Sequence, residues 1–138
     1  MEGKRNAAVL DIYPPYDRQE IDLLLTAEAE LSGRKIIVLD DDPTGVQTVH
    51  DVSVYTDWSL ESIRDGFAEK NKLFFILTNS RGFTVEQTTK AHQEIGARVD
   101  QVAKEMGMEY LIVSRGDSTL RGHYPLETRL LKEEIGRA

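Results

Sequence analysis

The chain has no cysteine, so neither a disulfide framework nor a thiolate metal site is open to it. Its three histidines, His50, His92 and His123, are far apart and never fall at i,i+4, which leaves no histidine metal site and no metal ligands to assign. Long apolar runs are missing as well. The longest, Leu73 to Leu77, is far short of a bilayer span, and the amino-terminal stretch MEGKRNAAVLDIYPP has no apolar signal core. The expectation is a cytoplasmic protein with no membrane partner. Positive charge is scarce: 17 Lys and Arg stand against 24 Asp and Glu, a formal net charge of −7, and no basic cluster offsets it. A nucleic-acid partner is therefore not expected. Also absent are the Gly-x-x-x-x-Gly-Lys-Ser/Thr loop, the Gly-x-Gly-x-x-Gly turn and the Gly-x-Ser-x-Gly elbow, which removes the usual nucleotide, dinucleotide and serine-hydrolase sites.

What is present fills one ordinary domain. At 138 residues, 40% hydrophobic and 30% charged, the chain is long enough for a real core and too short for a second full domain. Asp17 with Glu20 forms a capping-box pattern ahead of Ile21, Leu24, Leu25 and Leu31, so residues 1–33 read as an amino-terminal helical extension. From residue 34 to 138 the pattern alternates. Lys35–Asp40, Val52–Thr56, Leu73–Thr78 and Tyr110–Ser114 are short runs rich in β-branched or aromatic residues, and they read as strands. Ser59 opens a helix to about Glu69. Thr84 and Gln87 open a longer one on which Ala91, Ile95, Val99, Val102, Ala103 and Met106 share a face, closed by Gly107. Pro125 suits the first turn of a last helix bearing Leu126, Leu130, Leu131 and Ile135. Strands alternating with helices predict an α/β fold: a three-layer, Rossmann-like sheet of mainly parallel strands with flanking helices. Between Asp42 and Val52 there are fewer residues than a helical crossover needs, and only a single helical turn is expected there.

In such folds ligands lie beyond the carboxyl ends of the strands, and this sequence concentrates its unusual residues at those ends. The first strand runs into Asp40-Asp41-Asp42-Pro43-Thr44-Gly45, the third into Asn79-Ser80-Arg81-Gly82, and the fourth into Arg115-Gly-Asp-Ser-Thr-Leu-Arg-Gly-His-Tyr-Pro125. Each has a plain reading: solvated Asx turns, an ordinary polar loop, and an Asp117 paired with Arg115 or Arg121 to pin its loop. Three adjacent carboxylates nonetheless repel, and make more sense beside a cation or a hydroxyl-bearing ligand. In the last loop backbone N–H groups, Ser118, Thr119 and Arg121 are donors for an anion, while Asp117 is an acceptor. Donors and an acceptor together suit a ligand carrying both a carboxylate and hydroxyls. His123 and Tyr124 read as rim or structural residues, His50 and His92 as surface residues, and Trp58 as packing.

The motifs Asp41-Asp42-Pro43-Thr44-Gly45, Asn79-Ser80-Arg81-Gly82 and Asp117-Ser118-Thr119-Leu120-Arg121-Gly122, in that order, resemble the signatures of the four-carbon acid sugar kinase family, from about Lys35 to the end of the chain. Members have also been described as type III effector-like. The resemblance implies a sugar-binding amino-terminal domain that works with a nucleotide-binding domain, transferring phosphate from ATP, with Mg2+, to acids such as threonate or erythronate. It implies substrate contacts from Asp41, Asp42, Ser80, Arg81, Asp117, Ser118 and Arg121. Arg81 and Arg121 would hold the carboxylate, Asp42, Asp117 and Ser118 the hydroxyls, and Asp42 is the candidate catalytic residue. Asp40 stands where members commonly carry a small residue.

No nucleotide-binding domain follows the last helix, so this chain is expected to be the sugar-acid-binding portion of the enzyme, inactive alone and binding neither ATP nor Mg2+ itself. The missing half would come from another domain or a partner chain, and an exposed sheet edge leaves a homodimer open. Two other readings compete. Asp40-x-Asp42-x-Thr44, with Thr78, also resembles a haloacid-dehalogenase-like phosphohydrolase in which Asp40 attacks phosphate and Asp42 is acid and base. A non-catalytic binding module is the third.

Overall fold

The computed structural model describes residues 16–47, 49–117 and 119–136. The chain divides into two compact units, Met1–Gly33 and Arg34–Ala138, each taken by itself. In the first, helix α1 (Arg18–Leu31) starts where the capping pattern puts it: the Asp17 carboxylate accepts from the amides of Gln19 and Glu20 at 2.8 and 3.3 Å. Among the described residues no helix is long and apolar enough to cross a membrane.

The second unit is built on β1 (Lys35–Asp40), β2 (Val54–Tyr55), α2 (Leu60–Ala68), β3 (Leu73–Leu77), α3 (Val85–Met106), β4 (Tyr110–Arg115) and α4 (Leu126–Ile135). The four strands form one sheet in the order β2-β3-β1-β4, and every pairing is parallel. With its helices this is the α/β, Rossmann-like architecture that the alternating pattern predicts. In the register Ile37 stands between Phe74 and Ile112, and Leu39 between Ile76 and Ser114. Ile37, Leu39, Phe74, Ile76 and Tyr110 therefore share a face, which packs against Ile63 and Phe67 of α2, Ile95, Val99 and Val102 of α3 and Leu131 of α4. Each of these large side chains contributes about 1.5–3 kcal/mol by leaving water.

The helix ends behave as their sequences require. Ser59 Oγ accepts from the amide of Ser62, Thr84 and Gln87 complete a reciprocal capping box, and Gly107 closes α3 in the left-handed region at φ +63°. Three expectations need correction. The second strand shrinks to Val54–Tyr55, because only these residues find ladder partners, on β3 at the sheet's edge. The connection from β1 contains turns and no helix among its described residues, and it leads to a strand that is not β1's neighbour. His92 is not a surface residue: it is 2% exposed on the inner side of α3, where Nδ1 meets the carbonyl of Thr88 at 2.9 Å.

Parallel strands put all their carboxyl ends on one side of the sheet. Because β1 lies between β3 and β4, the loop that follows it sits between the other two.

Candidate functional site

Asp41, the first residue past β1, joins those three loops. It is 2% exposed, and its carboxylate takes Arg81 at two points, Nη2 on Oδ1 at 2.9 Å and Nε on Oδ2 at 3.2 Å. Oδ2 also accepts from the backbone amide of Asp117 at 3.0 Å, and the Asp41 carbonyl accepts from the Arg81 amide at 3.3 Å. One side chain thus ties the β1 loop to the loops after β3 and β4. A planar guanidinium against a carboxylate holds angle as well as distance. Arg81 then reaches on to Asp42, with Nη1 2.6 Å from Oδ2. These carboxylates raise the Arg81 pKa, so it stays fully charged.

The three consecutive aspartates have three different environments. Asp40 closes β1 and is 0% exposed. Its Oδ1 accepts from the Asp42 amide at 3.2 Å and faces Arg115 Nη1 at 3.5 Å, while Oδ2 is buried with no hydrogen-bond partner. Burial pushes its pKa up despite the Asp42 amide and Arg115. Asp42 is held well below the usual carboxylate range, first by the side-chain and backbone hydrogen bonds of Thr44 and further by Arg81. The Thr44 amide donates to Asp42 Oδ1 at 2.8 Å, and the Thr44 hydroxyl bonds to the same oxygen.

The loop after β4 is organised around Asp117. Its Oδ1 accepts from the amide and hydroxyl of Thr119, both at 2.9 Å, and from the Leu120 amide at 3.2 Å, and these bonds drive its pKa far down. Arg121 Nε stands 3.4 Å from Asp117 Oδ2, with the side chain 64% exposed. Gly122 folds back so closely that a β-carbon there would lie 1.9 Å from the Asp117 carbonyl oxygen. Ser118 lies outside the described residues.

These shifts have opposite consequences for stability. Asp42 and Asp117 have folded pKa values below the ordinary 3.8, so they stabilise the fold above that pH and their contribution disappears as pH falls toward their folded values. Asp40 is raised, so the folded state holds a proton that the unfolded state has lost, and its contribution declines as pH rises from 3.8 through its folded value. Asp40→Asn removes that decline. The melting temperature of the variant, relative to the parent, is expected to climb as pH is raised from 4 to 7; a difference independent of pH would contradict it.

Of the residues that the motifs single out, the fold brings Asp41, Asp42, Arg81, Asp117 and Arg121 together: Asp41 touches Arg81 and Asp117, and both Asp42 and Arg81 feel the charges of the last loop. Ser80 is nearby but turned inward. It is 1% exposed, and its hydroxyl is 2.9 Å from that of Thr78, which donates to the Asp40 carbonyl. Missed by the sequence reading are Thr88 and Glu127, buried polar residues that meet His123 at the loop's far end. Glu127 had one visible signal, an acid in the first turn after a proline, where the helix dipole favours it. A groove of about 640 Å³ between β4 and α4, floored by Leu111, Ile112, Leu131 and Ile135, includes none of the site residues. Among the described residues no three His, Cys, Asp or Glu side chains are grouped to hold a metal ion.

No curated protein and no solved structure matches the chain. A family model does, and it covers residues 36–138, the whole stretch from β1 onward that carries all three loops. A parallel sheet whose carboxyl edge gathers acceptors, hydroxyls and an exposed guanidinium is what a polyhydroxylated ligand requires, and on this match the chain belongs to the family of the sugar-binding N-terminal domain.

Proposed function

We propose that this domain binds a short sugar acid of the threonate or erythronate class and presents one of its hydroxyls for phosphorylation by ATP. The nucleotide would be carried by a separate domain or a partner chain. The observation that supports this most directly is the exposed Arg121 guanidinium beside two ionised carboxylates, Asp42 and Asp117, over a hub that fixes all three loops. Arg121 takes the ligand carboxylate, because its side chain is largely exposed and its bond to Asp117 is a long 3.4 Å. Arg81 has three of its donors already committed to Asp41 and Asp42, which makes it the organiser of those acids more than a free hand for the ligand.

Asp42 accepts hydrogen bonds from hydroxyls. A carboxylate with its pKa pushed down is a weak base, so its contribution is to aim the attacking oxygen at the γ-phosphate. Asp41 and Asp42 are both turned to Arg81, an arrangement that does not fit a magnesium site. The phosphohydrolase reading loses its nucleophile. Asp40 is sealed beneath Gly45 and has no path to a phosphorus atom.

Titration calorimetry with threonate and with erythronate, without ATP, tests the proposal. Binding of one of them is expected, and Arg121→Ala should weaken it roughly 10- to 100-fold, as loss of a charged hydrogen bond does, with an unchanged circular-dichroism spectrum. Silence of the parent chain toward both acids, or an Arg121→Ala variant that binds as well as the parent, would overturn it.

A further inference from the structure

We infer that Glu127, a buried carboxylate with no place in ligand recognition, is a positioning residue that clamps the two ends of the 116–123 loop; the inference rests on that loop being the sugar-acid site. Glu127 is in the first turn of α4 and 2% exposed. At the loop's far end its Oε1 accepts from the His123 amide at 3.3 Å, while the Glu127 amide donates back to the His123 carbonyl at 3.3 Å. At the near end its Oε2 occupies the space beside Gly116, 2.5 Å from where a β-carbon would be built. One carboxylate therefore touches both the residue that enters the loop from β4 and the residue that leaves it for α4.

The clamp has a second jaw. His123 Nδ1 is 2.7 Å from the Thr88 hydroxyl on α3, and Thr88 is fully buried in the face that packs under the sheet. The far end of the loop is thus fixed to α4 through its backbone and to α3 through its ring. Between these fixed ends Arg121 is exposed and Asp117 is partly buried, and the Asp117 amide is fixed independently by Asp41. A short loop with both ends held has few conformations in which to misplace a guanidinium, and a misplaced one loses its charged hydrogen bond to the ligand, which costs roughly 10- to 100-fold in affinity. A carboxylate suits the position because it lies at the positive end of a helix and accepts without donating.

The test combines amide hydrogen exchange, read without ligand, with calorimetry on the full chain using threonate and erythronate. In Glu127→Ala the His123 and Leu120 amides should exchange faster, while those of α3 stay protected. Affinity should fall roughly 10- to 100-fold. Glu127→Gln keeps an acceptor oxygen of the same reach and should restore both readouts to near the parent's. Thr88→Val, which keeps its shape and loses the hydroxyl, provides the second route should the alanine variant fail to fold, and should also quicken exchange at His123. Unchanged exchange at His123 in both Glu127→Ala and Thr88→Val would overturn the clamp whatever the ligand does. Parent protein that binds neither acid, with exchange altered as expected, would overturn the sugar-acid reading and leave the clamp standing as a loop-ordering device.

Discussion

Gly45→Ala is expected to destabilise the domain by about 1–3 kcal/mol, a drop of several degrees in melting temperature. The reason is local. A β-carbon at residue 45 would lie 1.7 Å from Asp40 Oδ2 and 2.3 Å from Asp40 Cγ, with Arg115 Nη1 at 2.4 Å. Arg115 is the end of a long, half-exposed side chain and can swing away. Asp40 cannot, because it is the last residue of β1, its carbonyl accepts from the amide and hydroxyl of Thr78, and its carboxyl is sealed in. The turn at Asp42–Gly45, closed by the Gly45 amide on the Asp42 carbonyl at 3.0 Å, must therefore lift. A double-mutant cycle makes the cause visible. Asp40→Ala removes the obstructing atoms, so Gly45→Ala should cost much less in that background, with a favourable coupling of at least about 0.5 kcal/mol. Strictly additive changes in the denaturation midpoint would show that the crowding lies elsewhere.

The same three aspartates mark the limit of what the sequence alone discloses. That strands alternate with helices, that Thr84 and Gln87 open α3, and that Gly107 ends it, follows from signals a few residues wide, and the structure repeats them. That the loops after β1, β3 and β4 share an edge follows from parallel pairing alone. Nothing in Asp-Asp-Asp, however, distinguishes one carboxylate from the next. The distinction comes from where the ladder stops: Asp40 still pairs with Leu77 and Arg115 across the sheet, Asp41 turns inward between loops, and Asp42 opens a turn. Strand order decides which arginine each one meets, and strand order is a property of long-range packing. His92 escaped for a related reason. It follows buried Thr88 by one helical turn on the same face of α3, and its polarity hides a burial that a hydrogen bond to the Thr88 carbonyl makes tolerable. The shortness of β2 is likewise a matter of available partners: Val52 and Ser53 have the composition of a strand, but only Val54 and Tyr55 stand in register with β3, and Ser53 adds just its carbonyl, which accepts from the Phe75 amide.

Asp41→Ala should produce the most extensive damage of any single change at the site, because its carboxylate serves three donors on two other loops. Removing it leaves the Asp117 amide without its acceptor and frees Arg81 from the pairing that holds it between Asp41 and Asp42. Stability should fall by about 3 kcal/mol, and sugar-acid binding should drop by more than roughly 100-fold because both loops lose their common anchor. Asp41→Asn keeps an acceptor oxygen for the Asp117 amide and gives up the charge, so it should recover part of the stability and little of the affinity. The pattern matters more than either value. Arg121→Ala removes a recognition group from an exposed side chain, and predicts lost affinity at constant stability; Asp41→Ala removes a buried tie, and predicts loss of both together. Thermal denaturation and calorimetry on the two variants side by side separate the roles. If Asp41→Ala melted with the parent protein and lost only affinity, Asp41 would have to be counted among the groups that touch the ligand, and the three loops would owe their arrangement to the sheet beneath them.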